Sequence, residues 1–152
     1  MTVILDTMLL VLFVVGTASR SYIEKHRRLQ SYTGFDFTLL IRKISAADRI
    51  VVTPNTLSEA SNLIGYIKDP ARQHIYECFR TIIQAPETEE QIIDSRLAAG
   101  RNEFTKLGLT DCVLLELALA KPHLLLTVDL SLYLSAARSG ISAENFNHLR
   151  GL

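Results

Sequence analysis

The sequence has no tryptophan, only two cysteines and no excess charge of either sign. Cys78 and Cys112 stand far apart without a CxxC spacing, so they predict neither a disulfide framework nor a zinc site. Sixteen basic and sixteen acidic side chains balance. No global field therefore draws the chain toward nucleic acid or acidic lipid, and any such attraction must come from local clusters.

The sequence also has no hydrophobic run long enough to cross a bilayer. The stretch TVILDTMLLVLFVVG, residues 2–16, is shorter than the ~20 residues that a membrane span needs, and Asp6 interrupts it. It has no positively charged segment in front of it, unlike a secretion signal. We interpret it as a buried strand followed by a buried helix, and we expect a soluble, cytoplasmic protein without a membrane partner.

The length of 152 residues predicts one domain, with a helical basic and aromatic segment at about 17–48. Short apolar runs at Val3–Leu5, Arg49–Thr53 and Leu124–Val128 are typical of strands that are buried on both faces of a parallel sheet. Segments with apolar residues at helical spacing lie between these runs. The alternation predicts an α/β fold, in which a parallel sheet of four or five strands lies between layers of helices.

Capping residues, prolines and glycines predict where the helices begin and end. Thr53 and Pro54 have the features of an N-cap and a first helical residue, and Asp69-Pro70 predicts a break. Further predicted boundaries are a stop or kink at Gly16, a helix from the acidic run 87–91 to about Gly100, a stop at Pro122 and an edge strand within 142–149.

Four acidic residues fall at junctions between these elements. Asp6 follows the first strand, Asp129 follows the strand LLLTV, Asp111 begins a helix, and Glu59 lies early in the helix after RIVVT. Ligands of open parallel sheets gather at the carboxyl ends of the strands. If the first and LLLTV strands are neighbours, the four carboxylates converge there and raise one another's pKa. A Mg²⁺ or Mn²⁺ ion, which prefers oxygen ligands, would relieve that repulsion.

Each carboxylate also has a purely structural explanation. Asp111 suits the positive end of a helix dipole, Glu59 could form a capping box with Thr56, and Asp6 and Asp129 could both be N-caps. The metal hypothesis therefore depends on the joint placement of the four residues rather than on any one of them.

The segments ILDT, TPNTLSEASNL, LGLTDCVLLELA and LLLTVDLSLYLSAARSG resemble, in this order, the PIN domain. This is a family of metal-dependent ribonucleases that includes many toxins of bacterial toxin–antitoxin pairs. The resemblance covers nearly the whole chain. It implies a PIN-like three-layer α/β/α fold, a site with one or two Mg²⁺ or Mn²⁺ ions, and hydrolysis of RNA phosphodiester bonds.

The resemblance assigns roles residue by residue. It implies that the metal ligands and catalytic residues are Asp6, Glu59, Asp111 and Asp129, and that Thr7 and Thr127 support them. Ser131 stands where many members have a better ligand, which puts the second metal in question. The extra segment around 19–38 suggests a subgroup that need not be a toxin. RNA, an antitoxin protein and a second copy of the chain are the implied partners.

The basic residues near the N-terminus are candidates to hold RNA phosphates, and a solvated helix face explains them equally well. They are Arg20, Lys25, Arg27 and Arg28. Tyr22 and Tyr32 could stack on unpaired bases or serve as packing residues.

The resulting hypothesis is a metal-dependent endoribonuclease, such as the toxin of a toxin–antitoxin pair. The alternatives are an RNA-processing nuclease that is not a toxin and a non-catalytic PIN-like interaction module. A phosphoacceptor receiver domain is disfavoured because the first strand lacks paired acidic residues and no lysine follows a late strand.

Overall fold

The computed structural model describes residues 1–120 and 123–152, which form a five-stranded, all-parallel sheet with helices on both faces. The strands are β1 (Thr2–Leu5), β2 (Arg49–Val52), β3 (Thr88–Glu90), β4 (His123–Thr127) and β5 (Ala143–Asn145). The helices are α1 (Thr7–Ala18), α2 (Arg20–Lys25), α3 (Gly34–Ser45), α4 (Pro54–Ile64), α5 (Ala71–Gln84), α6 (Ser95–Ala99), α7 (Phe104–Leu107), α8 (Leu109–Ala120), α9 (Leu130–Arg138) and α10 (Phe146–Leu149). The predicted three-layer α/β fold is confirmed.

The strand order is β3-β2-β1-β4-β5, so β1 lies at the centre of the sheet. On one side Val3 pairs with Ile50 of β2, and on the other side it pairs with Leu124 of β4. From β1 the chain builds outward in one direction through β2 and β3, and later in the opposite direction through β4 and β5. The switch point lies between β1 and β4, which is where ligands of such sheets bind.

Side chains alternate between the two faces of the central strands, as the pleat requires. Val3 and Leu5 pack into the larger core with α1 to α5, whereas Ile4 packs into a second core with α8 and α9. Both cores are apolar. This burial on both faces explains why the strands appear in the sequence as unbroken apolar runs rather than alternating ones.

Helix α1 is apolar on all sides because it lies between the sheet and the outer helices. The predicted stop at Gly16 is wrong, since the helix continues to Ala18, and the alternative of a kink there stays a prediction. Gly16 instead allows α3 to approach closely: a Cβ atom at this position would lie 2.3 Å from Cδ1 of Phe37. The glycine therefore serves helix packing and not termination.

The helix start predicted from Thr53 and Pro54 is confirmed, and Asp69-Pro70 does lie in a break between helices, although α4 already ends at Ile64. Thr53 is the N-cap of α4 and its hydroxyl accepts from the Thr56 backbone, with Pro54 at the first helical position. Helix α4 ends before the Asp69-Pro70 bond, which is cis, and α5 begins at Ala71.

The helix predicted from the acidic run 87–91 is wrong. Thr88–Glu90 is an edge strand that pairs in parallel with β2, and the helix that ends before Gly100 begins only at Ser95. Pairing with the exposed edge of β2 outweighs the local helical preference of glutamate.

The edge strand predicted in the C-terminal tail is confirmed as β5, which pairs with β4. The short helix α10 follows it. The predicted stop at Pro122 lies outside the described residues. Within the described ranges, no helix is both long and apolar enough to span a membrane.

Candidate metal centre

Asp6 follows the central strand β1 and is held by three hydrogen bonds. Its Oδ1 accepts from the Leu9 backbone at 2.9 Å, which caps α1. Its Oδ2 accepts from Thr127 Oγ1 at 2.6 Å and from the Val128 backbone at 2.8 Å. Burial raises the pKa of Asp6, the three hydrogen bonds oppose this, and the charge of Asp129 adds to the rise. These contacts explain how a carboxyl group is tolerated within an apolar run.

Asp129 lies beside Asp6 because β4 pairs with β1. The Thr127 hydroxyl joins the two residues, since it donates to Asp6 and accepts from the Asp129 backbone at 2.9 Å. Asp129 Oδ1 accepts from the Leu132 backbone at 2.9 Å and caps α9, whereas Oδ2 has no hydrogen bond to a described residue. Both aspartates are thus N-caps, and both also lie at the switch point of the sheet.

Glu59 does not form the capping box that the sequence left open, because Thr53 caps α4 and Thr56 is its third helical residue. Its carboxylate lies between the starts of two other helices instead. Thr7 Oγ1 donates to Oε1 at 3.0 Å, and Thr110 Oγ1 donates to Oε2. Glu59 therefore connects α4 to the first turns of α1 and α8, next to Asp6 and Asp111.

Asp111 lies in the first turn of α8 and interacts electrostatically with all three other carboxylates. Burial raises the pKa of Asp111 to about 7, and the charges of Asp129, Asp6 and Glu59 add to the rise. No hydrogen bond to a described residue compensates its carboxylate. Burial first, and its three acidic neighbours second, therefore oppose the ionisation of Asp111.

We call these four carboxylates, at the ends of β1 and β4, the carboxyl edge. Among residues 1–120 and 123–152, no three His, Cys, Asp or Glu side chains are arranged as a formed metal site. The donor set nevertheless fits a hard cation, because it consists of oxygen atoms. Both oxygens of Asp111 and Oδ2 of Asp129 accept no hydrogen bond from the described part of the chain, so they are available as ligands.

A buried cluster behind the carboxyl edge has no counterpart in the sequence prediction. Arg150 pairs with Asp36 through two contacts of 3.1 Å, and both side chains are only 9% exposed. Arg150 also lies over the ring of Tyr32 and donates to Asn147 Oδ1 at 2.9 Å. Asn147 Nδ2 in turn donates to the Val128 carbonyl at 3.3 Å. The cluster therefore anchors the loop that holds Asp6 and Asp129.

Tyr32 is buried and belongs to this cluster, so it is a packing residue and not a stacking platform. Burial raises the pKa of Tyr32 to about 12, and the charge of Asp6 adds to the rise. No residue spacing in the sequence indicates that Tyr32 packs in this cluster. The long separation of Asp36 and Arg150 along the chain hides their pairing as well.

The structure divides the basic residues of the N-terminal segment into two groups. Arg20 donates to the Gly34 carbonyl and to Thr38 Oγ1, both at 2.9 Å, and its guanidinium lies over the Phe37 ring. It therefore fastens α2 to α3. Lys25, Arg27 and Arg28 are exposed and form no ion pair within the described ranges.

Comparisons with family models, with curated proteins and with solved structures found no match to this chain.

Proposed function

We propose that this chain is a PIN-like, divalent-metal-dependent endoribonuclease. The supporting observation is the convergence of Asp6, Glu59, Asp111 and Asp129 at the switch point between β1 and β4. Four elements that are distant along the chain bring an oxygen-rich, mutually repelling set of side chains to the position where sheets of this order bind ligands. Such a set is costly without a cation, and a functional site is the physical reason to retain it.

Asp111 and Asp129 would be the principal ligands of Mg²⁺ or Mn²⁺, because their oxygens are the least committed to hydrogen bonds. Asp6 would contribute the remaining lone pair of Oδ1, and Glu59 would be the fourth oxygen-bearing side chain of the group. A bound ion would lower the pKa of a coordinated water and neutralise charge that develops on a phosphate.

The protein's own contribution is to position these groups. Thr127 fixes Asp6 and the Asp129 backbone together, and Thr7 and Thr110 fix both oxygens of Glu59. Side chains that are held before substrate arrives lose little conformational freedom in the reaction. RNA is the proposed substrate because segments of the chain resemble those of PIN-domain ribonucleases.

The test is a cleavage assay on a panel of labelled RNAs with Mg²⁺, Mn²⁺ or a chelator, on wild type and Asp129→Asn. Asparagine keeps the oxygen that caps α9, so the fold should survive. We expect cleavage to require the metal and to fall at least ~100-fold in the variant, the order of a lost electrostatic contact in a transition state. Calorimetric titration with Mn²⁺ should show binding to wild type and a weaker signal for Asp129→Asn.

Asp94→Asn is the matched control, since Asp94 caps α6 through Oδ1 in the same way. It should cleave RNA and bind Mn²⁺ like wild type. Equal activity of the two variants, or cleavage that survives the chelator, would contradict the proposal.

The alternative of a non-catalytic interaction module predicts that wild type neither binds Mn²⁺ nor cleaves any RNA. Growth arrest on expression in a bacterial host would separate a toxin from a processing nuclease. An antitoxin partner and a homodimer stay predictions.

A further inference from the structure

A groove of about 440 Å³ lies between α2 and the connection from α4 to α5. Its size is within the ~300–1,000 Å³ range of small-molecule sites. We call it the α2 groove, and it contains none of the carboxyl-edge residues. Its lining residues are Tyr22, Lys25, Arg27, Ile67, Lys68, Asp69, Pro70 and Ala71.

The rim of the α2 groove is cationic. Lys25 and Arg27 stand on one side and Lys68 on the other, all three exposed and without an ion pair to any described residue. Asp69 is the carboxylate among the lining residues, and its Oδ1 accepts from the Gln73 backbone at 3.1 Å. Three uncompensated cations around one partly engaged carboxylate favour an anionic ligand.

Planar groups extend the groove beyond its rim. The guanidinium groups of Arg27 and Arg28 lie 5.9 and 5.4 Å from the centre of the Tyr66 ring, which is 41% exposed. Arg72 lies over the Tyr76 ring at 4.8 Å. Exposed aromatic rings and guanidinium planes are surfaces on which unpaired bases stack.

Hydrogen bonds and a ring contact hold the walls of the groove. The Tyr22 hydroxyl lies 3.0 Å from His74 Nδ1, and the two rings meet edge to face. The Arg27 backbone donates to the Tyr66 carbonyl at 3.1 Å. A ligand would therefore meet a preformed apolar floor and exposed positive charges without ion pairs to described residues.

We propose that the α2 groove, which shares no lining residue with the carboxyl edge, binds a short single-stranded segment of RNA. This inference rests on the proposed function for its substrate class. Lys25, Arg27 and Lys68 would contact phosphates, and the Tyr66 ring would stack on a base. An acidic peptide would also satisfy the cations, but it would leave the paired aromatic and guanidinium planes unused, so RNA accounts for more of the site.

The experiment measures binding of a fluorescein-labelled 12-nucleotide oligouridylate by anisotropy, in chelator so that no RNA is cut. The groove variant is the double substitution Lys25→Gln/Lys68→Gln. Each lost phosphate contact should lower the salt dependence of log affinity by about 0.7 for a single strand. We expect a loss of affinity of at least ~10-fold at low salt and a slope reduced by about 1.4.

The control is Lys106→Gln/Arg138→Gln, which removes the same charge from exposed residues that form no ion pair in the described ranges. It should bind within about twofold of wild type. Tyr66→Leu should weaken binding on the order of 10-fold without changing the slope, because it removes stacking and not charge. Equal losses in both double variants, or no binding by wild type, would overturn the proposal.

Decaglutamate peptide serves as the competitor. It should displace the RNA only at much higher concentration, and tighter groove-dependent binding of the peptide would reassign the groove to an acidic protein partner. The two proposals fail separately. If wild type binds RNA through the groove but cleaves no RNA in any metal, the nuclease proposal is refuted. If wild type cleaves RNA with metal but the groove variant binds RNA as tightly as wild type, the groove proposal is refuted.

Discussion

The carboxyl edge and the α2 groove hold charges of opposite sign in opposite ways. At the carboxyl edge, Asp6 and Glu59 have both oxygens engaged by hydrogen bonds, and buried Thr127 links two of the acids. At the α2 groove, Lys25 and Lys68 extend into solvent without an ion pair among the described residues. The first arrangement suits chemistry, which needs fixed atoms. The second suits contact with a flexible polyanion, which needs charge more than position.

The largest effect on RNA cleavage should follow from Asp6→Asn. The new amide would place an N–H group against the Val128 backbone N–H or leave Leu9 without its cap acceptor. We expect a cost of about 1–3 kcal/mol in the free energy of unfolding, partly offset by the removal of a repelling charge. RNA cleavage should fall by at least ~100-fold.

Urea unfolding and the cleavage assay check this prediction together. Cleavage at the wild-type rate would exclude Asp6 from the site. Unchanged stability would show that its hydrogen bonds contribute less than their geometry indicates.

The largest effect on stability should follow from Arg150→Met, which breaks the ion pair behind the carboxyl edge. Asp36 would remain buried without its partner, a change that typically costs about 3–5 kcal/mol. Urea unfolding should show this loss. The double variant Arg150→Met/Asp36→Leu should recover much of it, since no buried charge is left alone, and failure to recover would attribute the loss to the stacking on Tyr32 or to Asn147.

A smaller effect is expected from pH. Because the pKa of Asp111 rises from 3.8 to about 7 on folding, the folded chain binds a proton that the unfolded chain releases within this window. Stability should therefore fall as pH rises, and the penalty is complete above about pH 7. In chelator, the melting temperature should be higher at pH 6.5 than at pH 8.

Asp111→Asn should flatten this pH dependence, and Mg²⁺ should stabilise wild type more at pH 8 than at pH 6.5, because a metal competes with the proton. Melting temperatures are not compared below pH 6.5 because a second group, His26, then affects stability. Burial lowers the pKa of His26, so the stability that its neutral form provides is lost below that pH. A wild-type curve as flat as that of Asp111→Asn would contradict the prediction.

The smallest effect should come from the α2 groove. Lys25→Gln/Lys68→Gln should leave the free energy of unfolding within about 0.5 kcal/mol of wild type, as is usual for exposed side chains without partners. Arg20→Gln, on the same helix, should cost more because Arg20 bonds Gly34 and Thr38 of α3. If the groove variant and Arg20→Gln have the same free energy of unfolding, Arg20 does not stabilise the fold more than the exposed cations do.

Much of the fold could be predicted from local signals. Buried strands, the N-cap at Thr53 and the break at Asp69-Pro70 each depend on short stretches of sequence. The convergence of Asp6 and Asp129 required one further inference, that their strands are neighbours, and the pairing of β1 with β4 supplies it.

The errors share a different cause. Thr88–Glu90 became a strand because β2 offered an unpaired edge, and Gly16 is needed because Phe37 of another helix packs on it. The sequence suggests a capping box between Glu59 and Thr56, but Glu59 accepts hydrogen bonds from Thr7 and Thr110 instead. In each case the deciding partner lies far away in the sequence, where periodicity carries no information.

Two of the three hydrogen bonds that secure Asp6 come from residues more than 120 positions later in the chain. At about 5–20 residues per second, a ribosome adds Thr127 and Val128 roughly 6–24 s after Asp6. Until then β1 has only β2 as a neighbour, and the carboxyl group of Asp6 must stay hydrated. Every nascent chain that ends before β4 consequently lacks the acidic centre, so the proposed RNA cleavage would require that translation had passed that strand.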